Sequence, residues 1–406
     1  MTQPLSTRDR LILEIAAHGP DPRLHLGALL TFPGTPPTPR QLADHVRGRL
    51  PELTFRTDRE RRHWITDPGF DARAHIHTLT VPGDLLQDPA PALNAVLDLP
   101  LDPARPLWGL WICAPATGDG FALAYRAHHA FQDGRAVAET VDRLFGPDTA
   151  HRGTGTVTGT AKAAALLKDL LPTPRRRPTP WPPAEHLTGD TRRAVLGSYD
   201  LRRLHPVVRA TRAGLSHLTL AALTGALRAW HPDTWRDATA PLKATFAVSV
   251  RAADDPHRLL GNRGAVAVLP LPCHDPSPAA QLAALRAEAS PARLAELAGR
   301  HTLLFDRMPY WCARLGLSRT IDPRRVPLAL ADVRLRTEPA WQGRRARAAY
   351  LVPPSVPGQP LFVAWTVHRG RLRVTFLADT GVPGLDALPG HLDDALTALT
   401  EETPCP

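Results

Sequence analysis

The amino-acid sequence predicts a mixed α/β fold in two halves. Short apolar runs of strand length alternate with helix-period patterns, a proline-rich stretch interrupts that alternation near the middle, and 43% apolar residues over 406 positions can fill a sizeable core. The 44 prolines, roughly twice the usual ~5% share, exclude a long coiled coil or other fibrous architecture.

Residues 10–17 read as a short amphipathic helix, 25–32 as a strand, and 39–50 as a helix opened by Pro39, whose missing N–H costs nothing there. Residues 64–65 and 75–81 read as extended, with the turn Asp67-Pro68-Gly69 between them, and 89–97 as a helix. Strands at 108–114 and 121–127 are joined by the polar turn Thr117-Gly118-Asp119-Gly120, and 136–145 has a helical period. In residues 171–190 the chain becomes Leu-Pro-Thr-Pro-Arg-Arg-Arg-Pro-Thr-Pro-Trp-Pro-Pro, which holds neither a helix nor an interior strand because proline fixes φ and removes donors. That stretch divides the sequence into 1–170, a linker at 171–190, and 191–406. The second half repeats the mixture: a helix at 218–230, strands at 243–250 and 265–271, and one long helix at 278–298. Two extended runs, 362–367 and 372–378, flank the turn His368-Arg369-Gly370 and lead to a closing helix at 385–399.

The 49 Lys+Arg against 39 Asp+Glu give a formal charge of +10. Lysine occurs at Lys162, Lys168 and Lys243, so the excess is nearly all arginine, scattered singly; the compact run Arg175-Arg176-Arg177 reads as solvated linker. This distribution argues against a dedicated nucleic-acid binder, and none is expected as partner. Cys113, Cys273, Cys312 and Cys405 have neither paired C-x-x-C spacing nor histidines placed for zinc, so no metal site and no disulfide framework is expected. Residues 1–10 are polar where a secretory leader is apolar, and no run approaches the ~18 apolar residues of a membrane span, so a cytoplasmic location is expected. Gly153-Thr-Gly155-Thr-Val-Thr-Gly159 fits a dinucleotide loop poorly, and G-x-S-x-G, phosphate-loop and H-E-x-x-H patterns do not occur. Trp108 and Trp111 read as core rather than as base-stacking platforms.

One segment concentrates possible chemistry. The apolar run from Phe121 leads into His128-His129, then Ala130-Phe131-Gln132, then Asp133-Gly134 and a helix. Adjacent strand residues point to opposite faces, so the two histidines have different roles, and a neutral imidazole held at a strand end suits a general base acting on a hydroxyl or amine. The bland alternative is a chance histidine pair, with Asp133 as a helix N-cap and Gly134 as a turn residue.

The combination resembles the His-His-x-x-x-Asp-Gly signature of chloramphenicol-acetyltransferase-like enzymes. Further segments resemble the wax ester synthase/diacylglycerol acyltransferase branch: Pro4-Leu5-Ser6 with Asp9, His25-Leu-Gly-Ala-Leu-Leu, Asp67-Pro-Gly-Phe-Asp71 with His75, Pro100 to Trp108, Val248-Ser-Val-Arg251, Gly261-Asn262-Arg263, Val352 to Gly358, and Leu377-Ala-Asp379. The resemblance spans most of the chain. It implies two chloramphenicol-acetyltransferase-like subdomains in a pseudo-dimer around a substrate tunnel, with His129 as catalytic base and His128 a buried neighbour. It also implies that Asp133 pairs with Arg251 to hold the motif loop, that Gly134 belongs to the turn, and that Asn262 is a candidate donor to substrate or oxyanion. No cofactor beyond the thioester co-substrate is implied; the partners would be acyl-CoA or an acyl carrier protein and a lipid or small-molecule acceptor, with peripheral membrane contact allowed. Leu328-Ala-Leu-Ala-Asp332-Val-Arg334-Leu departs from the Asn-Val-Pro-Gly-Pro stretch of many relatives, keeping the valine alone. A compact alcohol or amine is therefore an acceptor to weigh beside a fatty alcohol or diacylglycerol, and a non-catalytic scaffold binding a carrier protein or ligand is the alternative.

Overall fold

Two open sheets, each assembled from strands distant in sequence, carry the chain in the computed structural model, which describes residues 2–18, 24–147, 181–189, 191–251, 259–356 and 358–402. The first is five-stranded, in the spatial order Ala348–Val352, His25–Phe32, Phe121–His128, Trp108–Pro115 and Ile76–Val81. The second is six-stranded: Gly264–Leu271, Leu242–Ser249, Leu328–Asp332, Leu361–His368, Arg371–Asp379 and Arg192–Asp200. Sheets and helices are both present, so the fold is mixed α and β, as the sequence predicts.

The strand His25–Phe32 is buried along its whole length because both faces of its sheet are covered. With period two, Ala28, Leu30 and Phe32 meet Leu42, Val46, Val137 and Val141 of the helices Pro39–Arg49 and Gly134–Phe145. Leu29 instead joins Trp111, Ala122 and Ala124 on the other face, against the helix Ala90–Leu97 and against Ala194 and Leu377 of the second sheet. Trp108 and Trp111 are core residues. Helix Pro39–Arg49 starts where its sequence says it should: Thr38 and Gln41 form a reciprocal capping box, with Pro39 in the first turn.

The second half adds a strand to the first half's sheet. Ala348–Val352, from the second half, pairs antiparallel with His25–Phe32 in the first sheet. Asn94 exchanges two hydrogen bonds with the backbone of Ala194, at 2.8 and 3.0 Å, fastening helix Ala90–Leu97 to the edge of the second sheet. The described part of the linker packs on the second half: Trp181 lies in its core against Trp230, and Thr188 and Gly189 donate to the carboxylate of Asp379. The arginine run, the 153–159 glycines, the rest of the linker and Cys405 lie outside the described residues. Cys113, Cys273 and Cys312 are buried free thiols.

One reading of the sequence is corrected, and one strand is added to it. The long helix expected at 278–298 is two helices, Pro278–Glu288 and Pro291–Asp306: Ser290 caps the second and Pro291 occupies its first turn, a start signal inside an otherwise continuous apolar period. Leu328–Asp332, assigned no element in the sequence reading, is a central strand lying parallel to both neighbours. A five-residue strand between two others, its Leu328, Ala329 and Leu330 buried in succession, carries no alternation to reveal it.

Candidate active site

The strand Phe121–His128 aims the motif. It pairs with His25–Phe32 on one side and Trp108–Pro115 on the other, and Arg126, two residues before its end, is buried. The Arg126 guanidinium donates to the carbonyls of Val96, Leu97 and Leu99 at the C-terminal end of helix Ala90–Leu97 and meets His25 Nδ1 at 2.7 Å. A helix C-terminus is the partially negative end, so a cation there is stabilised without a carboxylate. One residue beyond the strand, the His129 N–H donates to Leu24 O at 2.7 Å, and the chain then turns.

The turn separates the two histidines. His128 is buried, its Nδ1 accepts the Ala130 N–H at 3.1 Å, and burial with His129 beside it pushes its pKa down to about 3. His129 is partly exposed. Its Nδ1 lies 3.4 Å from Gln132 O and 3.1 Å from Asn262 Nδ2, and its Nε2 makes no hydrogen bond to a described residue. Desolvation lowers its pKa below the ordinary 6.5 against the pull of Asp133, so the ring is neutral at pH 7. With hydrogen on Nδ1, facing the Gln132 carbonyl, Nε2 has the lone pair a base needs.

Asp133 makes no hydrogen bond to His129. Its Oδ1 accepts the Ala136 N–H at 2.8 Å as the N-cap of Gly134–Phe145, while Oδ2 accepts Arg251 Nη2 at 2.8 Å and the Arg263 N–H at 2.7 Å. Burial raises its pKa, but Arg251 and the two backbone donors win and hold the carboxyl below its ordinary value. Arg251 also donates to the carbonyls of Leu260 and Gly261. Gly134 backs onto the departing loop: a Cβ there would sit 3.1 Å from Val333 Cγ2.

Asn262 reaches His129 from the second half. Its Oδ1 accepts the Gly264 N–H at 2.8 Å, which turns Nδ2 toward His129 O at 3.2 Å and His129 Nδ1. Sequence reasoning missed Gln132, whose amide is fully engaged: Oε1 accepts from Tyr125 Oη, and Nε2 donates to Thr140 Oγ1 and Leu259 O. Its signal was a long polar side chain inside the motif, where small or apolar residues surround it. Asp9, to which the sequence assigns no role, is buried, and its Oδ1 accepts the Asn262 N–H at 2.7 Å.

Two sheets joined through a His-His turn, a buried aspartate–arginine pair and a strand that the second half adds to the first sheet define the chloramphenicol-acetyltransferase-like class of fold. The structure aligns with the wax ester synthase/diacylglycerol acyltransferase from Marinobacter aquaeolei at a TM-score of 0.67, with 17% identity over 99% of both chains. It aligns with the first condensation domain of the CDA synthetase at 0.65, with 16% identity over 100% of this chain and 98% of the other. In sequence it is 23% identical to O-acyltransferase WSD of Acinetobacter baylyi over 92% of each chain. It is 26% identical to a putative diacylglycerol O-acyltransferase of Mycobacterium tuberculosis over 83% of this chain and 76% of the relative. The family model described as the wax ester synthase/diacylglycerol acyltransferase catalytic domain matches residues 5–272. The chain belongs to that family and is an acyltransferase. Among the described residues no helix is long and apolar enough to cross a membrane.

Proposed function

We propose that the protein transfers an acyl group from acyl-CoA to an acceptor hydroxyl, with His129 as general base. The observation that carries this reading is the partly exposed imidazole of His129, its Nε2 unengaged by described residues, where Asn262 of the second half meets the motif. In this reading the halves 1–170 and 191–406, joined by 171–190, bound a channel in which donor and acceptor meet.

His129 Nε2 takes the acceptor O–H proton as the oxygen attacks the thioester carbonyl carbon. The tetrahedral oxyanion collapses, the C–S bond breaks, and the leaving thiolate recovers the proton from the imidazolium. Thioesters are already activated, so holding two substrates in register against one base supplies much of the rate. His128 keeps the turn in shape through Ala130, and the Asp133–Arg251 pair fixes the loop, neither touching substrate.

A lipid alcohol or diacylglycerol is the acceptor favoured by the family, and the Acinetobacter relative's name specifies O-acyl transfer. A starter condensation domain of similar fold was solved with C8-CoA, which supports coenzyme A as donor over a carrier protein. The same reading has the enzyme in the cytoplasm and without nucleic acid as partner, its basic excess being arginines scattered singly along the chain. The test is release of free thiol from acyl-CoA. Release that requires an added long-chain alcohol or diacylglycerol, and that His129→Ala abolishes with the fold intact, is the expected result. Release unchanged by His129→Ala, or none with any hydroxyl acceptor, would leave a binding scaffold instead.

A further inference from the structure

Asp9 lies far from His129 in sequence, yet one hydrogen bond separates it from the residue that touches the imidazole. Its buried carboxylate accepts three donors: the Ser6 N–H at 3.0 Å and Trp64 Nε1 at 3.3 Å reach Oδ2, and the Asn262 N–H reaches Oδ1 at 2.7 Å, the shortest of the three. Ser6 Oγ in turn accepts the Asp9 N–H, so the carboxylate is locked at the start of helix Thr7–His18. The loop it holds is tightly specified. Gly261 has φ +75°, a conformation that favours glycine, and a Cβ at that position would stand 3.2 Å from Asp9 Oδ2. The Gly261 N–H donates to Phe131 O at 2.7 Å, inside the His-His motif, and Trp64 packs edge-on against the Phe131 ring at 5.6 Å between centroids.

We infer that Asp9 is a positioning residue for the His129 imidazole, acting through Asn262. The carboxylate fixes the Asn262 backbone, the Gly264 N–H fixes which end of the Asn262 carboxamide faces the ring, and the amide hydrogens then bracket His129 at its carbonyl oxygen and at Nδ1. The positive end of the Asn262 amide dipole against the ring opposes the positive charge of the imidazolium, while the Gln132 carbonyl holds the hydrogen on Nδ1 and leaves Nε2 its lone pair. The relay thus orients the ring and keeps it deprotonated. Other charged or titratable groups around the ring are His128 from the strand and Asp133 from the helix N-terminus, the latter paired with Arg251; Arg263 lies next to Asn262 in the same loop. None of these is bonded to the Asp9 carboxylate in place of the Asn262 N–H. A carboxylate suits its position because all three of its partners there are donors; a carboxamide would turn an N–H₂ group toward at least one of them.

This inference rests on His129 as the base for its effect on turnover, but its primary readout is the ring itself. In protein labelled with ¹⁵N-histidine, the His129 resonances are identified by their loss in His129→Ala. Asp9→Asn is expected to raise the His129 titration midpoint toward the ordinary 6.5, to lower kcat about tenfold or more, and to leave KM for acyl-CoA within about twofold. Asn262→Ala is expected to do the same, and the double variant to be no worse than the more affected single one, because both act along one chain of contacts. Trp64→Phe, which removes the longest donor to Asp9 and leaves Oδ1 alone, is expected to leave the titration in place. Should Asp9→Asn fail to fold, Asp9→Ser leaves room for a water to serve the same donors and takes its place. A folded Asp9 variant with an unmoved His129 titration, or single effects on kcat that multiply in the double variant, overturns the relay. Activity that survives His129→Ala overturns the base assignment instead, and leaves the resonance result standing by itself.

Discussion

Arg251 and Asp133 meet at 2.8 Å across 118 positions of sequence, both side chains buried, so that one ion pair fastens the first half's motif helix to the second half's loop. The guanidinium is also shared with two carbonyls of that loop, and the carboxylate with two backbone N–H groups. The pair therefore joins two backbones through fixed geometry, which a pair of exposed charges does not do.

Removing one member should cost far more than a surface pair would. Arg251→Met is expected to destabilise the protein by about 3–5 kcal/mol, because it leaves the Asp133 charge buried with its cation gone. Urea unfolding at pH 7 checks this through the midpoint at constant slope. A loss below about 1 kcal/mol would mean that water reaches the carboxylate and the pair is not sealed.

The same carboxylate predicts a pH dependence with a definite sign. Burial works to raise the Asp133 pKa, but Arg251 and its backbone donors hold it below the ordinary 3.8 in the folded state. A folded pKa below the unfolded one means stabilisation that is complete above the unfolded value and is lost as pH falls through the folded value. The stability difference between the wild type and Asp133→Asn should thus stay constant from pH 7 down to about 4 and shrink below that. A difference that grows on acidification would contradict the direction of the shift.

Much of the fold was legible in the sequence where burial has two-residue or helical period and the ends carry chemical punctuation. The strand at 25–32 and the capped helix after Thr38 lie where expected. Leu328–Asp332 and Ala348–Val352 were not legible as strands, because each is short and takes its place from neighbours brought from elsewhere in the chain. At the site the residue types at 128, 129, 133 and 251 were readable from a motif and a resemblance. The use of Gln132 was not, since its partner Leu259 lies 127 positions away, and neither was the use of Asp9, 253 positions from Asn262. No local pattern encodes which carbonyl or N–H a buried polar group will face.

Two glycines separate a fold requirement from a site requirement. A Cβ at Gly27 would lie 1.9 Å from the Tyr125 carbonyl oxygen, and the backbone it meets belongs to the strand that presents His128. Gly27→Ala must part those strands and is expected to cost more than about 3 kcal/mol or to prevent folding, beyond the usual overpacking range. At Gly134 the obstacle is a methyl group of Val333 at 3.1 Å, which can yield by a few tenths of an ångström. Gly134→Ala is expected to cost about 1–2 kcal/mol. Thermal unfolding of both variants checks the order; Gly134→Ala as the worse of the two would show that the Val333 loop is stiffer than the sheet.

Titration of the reaction itself distinguishes the two histidines. The base must be neutral to act, so kcat/KM for acyl-CoA falls on the acid side with the pKa of the free enzyme's base. Desolvation lowers that pKa at His129, so the acid limb should have its midpoint below 6.5 and a slope of one proton. His128, pushed to about 3 by burial with His129 as its neighbour, stays neutral throughout and adds no second step above pH 5. The measurement is thiol release from acyl-CoA between pH 5 and 8 at saturating acceptor, with folding monitored in parallel. A midpoint at or above 6.5 would mean that Asp133 outweighs burial at the His129 ring, since a nearby negative charge favours the imidazolium and low-dielectric surroundings oppose it. A two-proton slope would bring His128 into the reaction, and with it a turn far more open than the Ala130 hydrogen bond allows.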